Sequence, residues 1–415
     1  MKRIIFISEM PITNGVIQAQ LLPVVFESKK NGYAVSVIET IGRFDSQEKY
    51  REKAEEELKK DGIFPEKIII PRHTFLPSIL QFFFKSLRVL KKIIRENKND
   101  KILIYARNYK MAPALLWARY FWKINFIYSP RGAYVAERKH YRKMKDILFA
   151  SPIAFLEKRA ILKSLAAILE TEYLRKYIEE TYGLNNGNLV VIPNFYDAKL
   201  LPPPEWDREK MRTELGFKGK RVIVYAGTVE IWYEFERMFE LVKRLKEKDP
   251  RIFFQLFLKE DYARDESKGM LEKLKKIASE KGLEEKKDFG ISSFPPFDRY
   301  LYLSACDAGI CLTTPQKFKA VMLYLKIADY LGAKLPIIVN RDVLAAKEII
   351  EESNAGFLVD YENWDKSISL FDSKYFFEKE KKNIEKYSSL NVIPLYLGLF
   401  KKVFDSTEDG NTPQN

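Results

Sequence analysis

The sequence predicts two α/β domains, each a doubly wound parallel sheet covered by helices. Short apolar runs rich in Ile, Val and Phe alternate with helical patterns along the chain. The runs fall into two successive series with a proline-rich segment between them. The chain has 415 residues, which at roughly 100–200 residues per domain points to two cores.

In the first series, Met1-Lys2-Arg3 leads into Ile-Ile-Phe-Ile, too short for a signal peptide, and Arg3–Ser8 is expected to be the first strand. A helix is expected over Val16–Lys30, and strands at Ala34–Ile38, Lys67–Ile70, Ile102–Ala106, Phe126–Ser129, Ala167–Leu169 and Leu189–Ile192. Phe75–Arg95 is amphipathic. Leu76, Leu80, Phe83, Leu87, Leu90 and Ile94 recur at steps of three and four, with Gln81, Lys85, Arg88, Lys92 and Arg95 on the other side. Two readings are open: a core-facing helix with a solvated basic side, or a helix lying in an anionic membrane surface. The basic cluster Arg138–Lys145 could meet a lipid-linked diphosphate or lipid headgroups, or could be a solvated helix.

Leu200–Trp206 contains three consecutive prolines, which remove three donors, and is expected to be an extended linker. The second series places strands at Val222–Ala226, Ile252–Phe257, Asp288–Ile291, Ala308–Leu312, Pro336–Val339 and Gly356–Val359. Ligands of such a sheet bind at the carboxyl ends of its strands. Phe376–Val403 reads as terminal helices, and residues 405–415 as a polar, disordered tail.

Seventy-one basic against 57 acidic residues give a net charge of +14. Such a surface attracts phosphates on nucleic acid, anionic lipid or small substrates. With no helix-turn-helix, zinc or RNA-binding signature, nucleic acid is not an expected partner. The two cysteines, Cys306 and Cys311, lack nearby histidines, and His73 and His140 are the only two histidines, so no metal site and no cofactor is expected. No run reaches the 18 or so apolar residues of a membrane span. A cytoplasmic protein is expected, or one held peripherally on the inner face of a membrane.

Four motifs carry candidate chemistry. Lys326 and Asp329 are three apart in a helical stretch, hence on one face, where an ammonium can meet phosphate and a carboxylate can accept ribose hydroxyls. Gly227-Thr228 ends a strand, and a residue without a Cβ lets backbone amides approach a diphosphate. Asn14-Gly15 allows a tight turn between the first strand and its helix. Arg107 and Arg131 sit at or just past the carboxyl ends of strands, with Glu137 following Arg131.

The stretch Tyr324–Ile338, with Lys326, Asp329, Tyr330, Leu331 and Pro336 in frame, resembles the nucleotide-sugar segment of family 4 (group 1) glycosyltransferases, which have the GT-B fold. That family shows Lys-x-x-Glu-Tyr-Leu-x-x-Gly-x-Pro-Val-Ile there. Gly227-Thr228, Ile192-Pro193-Asn194-Phe195-Tyr196-Asp197 and Gly356–Val359 are similar to further family segments in the same order. The chain departs from the family pattern at several positions: Asp329 stands for Glu, Lys334 for Gly, Val321 for a first acid and Ser129 for Asp, no cation follows Gly227, and no His lies near Arg131.

The resemblance implies two Rossmann-like domains facing a cleft. Residues 1–197 would be the acceptor domain, with helices at about 384–404 crossing back onto it, and 198–383 the donor domain. It implies a retaining hexosyltransferase that uses a nucleotide-sugar donor and a glycan or lipid-linked acceptor, in cell-surface polysaccharide or glycoconjugate synthesis, without metal. Gly227, Thr228 and Lys326 would hold the diphosphate and Asp329 the ribose. Arg131 would lie near the reacting centre, with Asn14, Gly15, Arg107 and Glu137 on the acceptor side. The departures leave a catalytically silent GT-B protein, binding a glycan or a protein partner, as the alternative.

Overall fold

The computed structural model describes residues 1–8, 10–42, 50–70, 76–107, 109–130, 132–133, 136, 140, 144–184, 187–258, 265–360, 363–369 and 383–408. The chain divides into two compact units, Met1–Pro193 with Val392–Asn415, and Asn194–Asn391.

The first unit is built on a seven-stranded parallel sheet in the order β3-β2-β1-β4-β5-β6-β7. The strands are β1 (Lys2–Ile7), β2 (Ala34–Gly42), β3 (Glu66–Ile70), β4 (Lys101–Arg107), β5 (Asn125–Ser129), β6 (Ala166–Leu169) and β7 (Leu189–Val191). Helices cover both faces of a parallel sheet, so its central strands are continuous apolar runs. Accordingly Ile4, Ile5, Phe6 and Ile7 are all fully buried. Right-handed crossovers put α1 (Gly15–Gln20), α2 (Leu22–Lys30) and α3 (Arg51–Lys60) on one face. The same rule puts α4 (Leu76–Glu96), α5 (Ala112–Trp122), α6 (Met144–Lys163) and α7 (Glu172–Tyr182) on the other. The helix expected over Val16–Lys30 is broken at Leu21, because Pro23 in the first turn of α2 has no donor and its ring excludes the carbonyl of Ala19.

The second unit holds a six-stranded parallel sheet in the order β10-β9-β8-β11-β12-β13. Its strands are β8 (Arg221–Gly227), β9 (Ile252–Leu258), β10 (Phe289–Ser292), β11 (Ala308–Cys311), β12 (Ile337–Asn340) and β13 (Gly356–Val359). The helices are α8 (Arg208–Glu214), α9 (Phe235–Lys248), α10 (Asp265–Glu280), α11 (Arg299–Ser304), α12 (Lys317–Ala320), α13 (Leu325–Gly332), α14 (Leu344–Ser353) and α15 (Trp364–Ser369). Leu201, Pro202, Pro203 and Trp206 line a cavity of about 560 Å³ with Cys306, Asp307, Lys334 and Pro336, at the amino ends of β11 and β12. Helix α16 (Ser389–Glu408) carries the chain from the second unit back into the first. The tail from 409 onward lies outside the described residues.

Strand order reverses between β1 and β4 in one sheet and between β8 and β11 in the other. These switch points are where open α/β sheets leave a crevice for ligand.

Candidate functional site

In the second unit the switch point is opened by one side chain. Strands β8 and β11 pair only at Ala308–Ile223 and Gly309–Val224. Beyond that the fully buried Tyr330 of α13 stands between them: its hydroxyl accepts from Ala226 N–H (3.0 Å) and donates to Ile310 C=O (3.2 Å). A Cβ on Gly309 would lie 2.4 Å from the Tyr330 ring, so only glycine fits beneath it. Tyr330 therefore satisfies the two backbone groups that the diverging strands release.

At the carboxyl end of β8, Gly227 has φ +143°, and a Cβ there would lie 3.4 Å from Lys326 Cε and 3.5 Å from Nζ. The missing side chain is the space the Lys326 ammonium occupies. Lys326 is buried, and its Nζ lies 3.6 Å from the ring centroid of Tyr233 and 4.8 Å from that of Tyr225. Among the described residues it makes no hydrogen bond or ion pair; aromatic faces hold it by cation–π attraction. Burial pushes its ammonium down to about 8, against the raising influence of Cys311, Asp329 and Glu230.

The segment after Gly227 folds back along the continuation of β11. Tyr233 bridges Thr313 in antiparallel fashion, Glu234 N–H donates to Leu312 C=O (3.0 Å), and Thr314 N–H donates to Trp232 C=O (2.9 Å). This places Trp232 under a second cation: Lys319 Nζ of α12 lies 3.9 Å from its ring centroid, and Lys319 is buried. The family's basic residues after Gly227 have no counterpart in this chain; Lys319 reaches the same loop from a distant helix. Its only sequence signal is a lysine inside the largely apolar run Phe318–Leu325, seven residues before Lys326.

Lys326 and Asp329 share a helix face but not their partners. Tyr300 of α11 donates its hydroxyl to Asp329 Oδ1 (2.9 Å) and accepts from Asp197 N–H (3.1 Å), while Arg299 Nη1 is 3.9 Å from the same Oδ1. Burial pushes the Asp329 carboxyl up, and Arg299 and the Tyr300 hydroxyl pull it back. Lys334, where Gly was expected, adopts the left-handed φ of +56° that glycine takes most readily.

In the first unit Asn14 and Gly15 begin α1. Asn14 N–H donates to Pro11 C=O (2.9 Å), so the turn is Pro11–Asn14, and the Asn14 side chain caps the helix by accepting from Val16 N–H (2.9 Å). Gly15 is not at positive φ, and a Cβ there would meet nothing within 4 Å. The preceding loop is anchored by the fully buried Glu39, which accepts from Ile12 N–H (2.8 Å) and pairs with Arg51 Nη1 (2.8 Å). Arg107 ends β4 beside Ser129 of β5, is buried, and lies at the switch-point edge. Arg131 and Glu137 lie outside the described residues. Cys306 and Cys311 are free and buried. Among the described residues no cluster of His, Cys, Asp or Glu could hold a metal ion.

The comparisons agree with this architecture. The family model Glycosyltransferase Family 4 matches residues 27–200. That stretch, less than half of the chain, is similar to Glycosyltransferase Family 4. Three solved structures are similar over nearly the whole chain. HepE of Anabaena in complex with UDP and glucose has a TM-score of 0.69 at 14% identity, covering 97% of this chain and 100% of that one. Sucrose-phosphate synthase from Thermosynechococcus elongatus has 0.71 at 12%, covering 98% and 100%. An α,α-trehalose-phosphate synthase (UDP-forming) from Burkholderia vietnamiensis has 0.64 at 11%, covering 97% and 99%. The fold of the chain is GT-B. No curated protein matches it by sequence.

Proposed function

We propose that the protein is a glycosyltransferase that moves a hexosyl group from a nucleotide sugar to an acceptor hydroxyl with retention of anomeric configuration. One observation carries this reading: a buried ammonium, Lys326, stands at the switch-point end of β8 in the space left by Gly227, with its charge unmet by any carboxylate ion pair among the described residues. That is a seat for phosphate. Lys319 brings a second positive charge to the same loop. The co-structure of HepE with UDP supports a uridine nucleotide as donor.

In this reading Lys326, Lys319 and the Gly227–Thr228 backbone meet the diphosphate, and Asp329 takes the ribose through the oxygen that Tyr300 leaves open. By the family resemblance, Arg131 is assigned to the reacting centre and Asn14, Gly15, Arg107 and Glu137 to the acceptor. The bond from the anomeric carbon to the diphosphate oxygen breaks, the acceptor oxygen bonds to that carbon on the same face, and its proton passes to the departing phosphate. Fixed positive charge stabilises the leaving group; one well-placed donor of this kind is worth about 2.7–4 kcal/mol. The ammonium groups take the place of a metal ion, so chelation by EDTA should leave turnover unchanged.

The acceptor proposed is a glycan or a lipid-linked glycan of surface polysaccharide or glycoconjugate synthesis, met in the cytoplasm at an anionic membrane. The net charge of +14 supports attraction to such a surface. Among the described residues no helix is long and apolar enough to cross a membrane.

A catalytically silent GT-B protein is the second reading, favoured by the commitment of Asp329 to Tyr300 and by Val321 where an acid was expected. The deciding experiment is thermal stabilisation by a panel of nucleotide sugars and nucleoside diphosphates, followed by assay of donor hydrolysis. A ligand at a hundredfold excess over its dissociation constant stabilises the fold by about 2.7 kcal/mol. Stabilisation with hydrolysis supports transfer, binding without turnover supports the silent reading, and no shift with any member overturns the donor site.

A further inference from the structure

The outer face of α4, α5 and α6 in the first unit is unusually aromatic. Helix α5 packs between α4 and α6. Leu80 and Phe84 of α4 are 50% and 63% exposed, Trp117, Tyr120 and Phe121 of α5 are 40%, 49% and 65% exposed, and Phe155 of α6 is 58% exposed. Phe84, Trp117 and Phe121 are joined through Phe83. The Phe83 ring lies 5.3 Å from Phe84 and 5.9 Å from Trp117, and Trp117 lies 4.2 Å from Phe121. A connected patch of large apolar side chains in water marks an interaction site. The sequence put Leu80 and Phe83 on one apolar stripe with Leu90, open to the core or to a membrane. Among the described side chains of α4 the buried ones are Phe82, Ser86, Leu90 and Ile93, and Leu80 and Phe84 turn outward.

Charge identifies the occupant. Lys85 and Arg88 of α4 and Lys123, which follows α5, are exposed, Lys85 Nζ donating to Ile69 C=O (2.9 Å), and the Arg159 guanidinium lies 5.4 Å from the ring centroid of Phe155. Among the described side chains of these helices the carboxylates are Glu96, at the far end of α4, and Glu157, which is buried. A second copy seated on this face would oppose cation to cation. An anionic bilayer satisfies both components: Trp and Tyr rings settle at the headgroup level, Phe reaches the acyl boundary, and Lys and Arg meet phosphate. We infer that the α4–α5–α6 face is a membrane-docking surface that seats in an anionic bilayer with Phe84, Trp117 and Phe121 as its apolar anchors. This rests on the membrane reading given above and assigns it a surface.

The test is co-sedimentation of the full chain, without nucleotide, with vesicles of phosphatidylcholine alone and of an equal mixture with phosphatidylglycerol, at low salt. The wild type should sediment with the mixed vesicles and stay in solution with phosphatidylcholine. A variant carrying Phe84→Ser, Trp117→Ser and Phe121→Ser should bind at least about tenfold more weakly, since three anchors no longer leave water. Its melting temperature should match that of the wild type. The conservative Trp117→Phe variant guards against misfolding: brominated acyl chains should quench wild-type emission and quench that variant's emission much less. Wild type that ignores the mixed vesicles overturns the membrane reading and this surface together. Undiminished binding by the triple variant, or equal quenching with Trp117→Phe, overturns the surface alone and leaves the membrane reading standing. A dimer in sedimentation velocity that the triple substitution breaks, without vesicle binding, assigns the face to a second copy and overturns the proposal.

Discussion

Lys326 holds its charge against burial, and this gives it opposite effects on binding and on folding. Its ammonium is pushed down to about 8 by burial. Donor diphosphate binds the protonated form, so affinity should be flat below pH 8 and fall by up to about tenfold per pH unit above it, until the bound complex loses its own proton. Isothermal titration with a uridine diphosphate sugar across that range checks this. Lys326→Met should lose at least about tenfold in affinity at neutral pH, and its residual binding should no longer titrate. For stability the sign reverses: a base with a depressed folded value destabilises the fold wherever both states are charged. The wild type should therefore gain stability as pH rises from 8 toward 10.5, and Lys326→Met should be more stable than wild type at neutral pH by up to about 3 kcal/mol in urea unfolding. Glu157 is the acidic counterpart. Burial pushes it up to about 7, while the Tyr182 and Tyr128 hydroxyls that donate to it pull it down. Its proton is held more tightly folded than unfolded, so its contribution is fully present below about 4.5 and is lost as pH rises through 7. Glu157→Gln, which keeps a hydrogen-bonding group of the same size, should flatten that decline by about 3 kcal/mol in unfolding free energy measured at several pH values.

At the scale of elements the decisive piece is α13, whose Tyr330 keeps β8 and β11 apart. Tyr330→Phe would leave Ala226 N–H and Ile310 C=O buried without their partner, which costs about 1–3 kcal/mol. Because Ala226 directly precedes Gly227, donor-induced thermal stabilisation should shrink as well; a variant that loses stability but keeps the full donor shift would show that the strand end is held by other contacts. The strands were legible in the sequence because both faces of a parallel sheet are buried, so each appears as an uninterrupted apolar run that needs no knowledge of its neighbours. The face of α4 was not. Three consecutive phenylalanines satisfy more than one stripe, and only packing against the sheet and α5 selects Phe82 for the interior. The same limit applies to the site. Local pattern drew attention to Gly227 and Lys326 separately, but their contact is made by the fold. Lys319 lies far along the chain from the loop it reaches, and the claim of Tyr300 on Asp329 joins α11 to α13, which no local pattern encodes.

On the scale of the whole molecule, the chain's order and its structural units do not coincide. Helix α16 starts in the second unit and ends in the first, where Phe400 packs 6.0 Å from Phe6 and 6.0 Å from Tyr105, and Phe404 stacks 5.7 Å from Tyr33. Phe400 and Phe404 of α16 thus complete the core beneath β1, and Lys2 pairs with Asp405 at 2.9 Å. Phe400 is fully buried, and Phe400→Ala should cost about 3–5 kcal/mol through lost burial and a residual cavity. That cost falls on the first unit. Calorimetry of the intact chain should show one transition lowered by about 10 °C, while the transition that shifts upward with donor keeps its position and its shift. A single transition that moves as a whole would mean that the two units unfold as one cooperative body; a lowered donor-linked transition would mean that α16 supports the second unit instead.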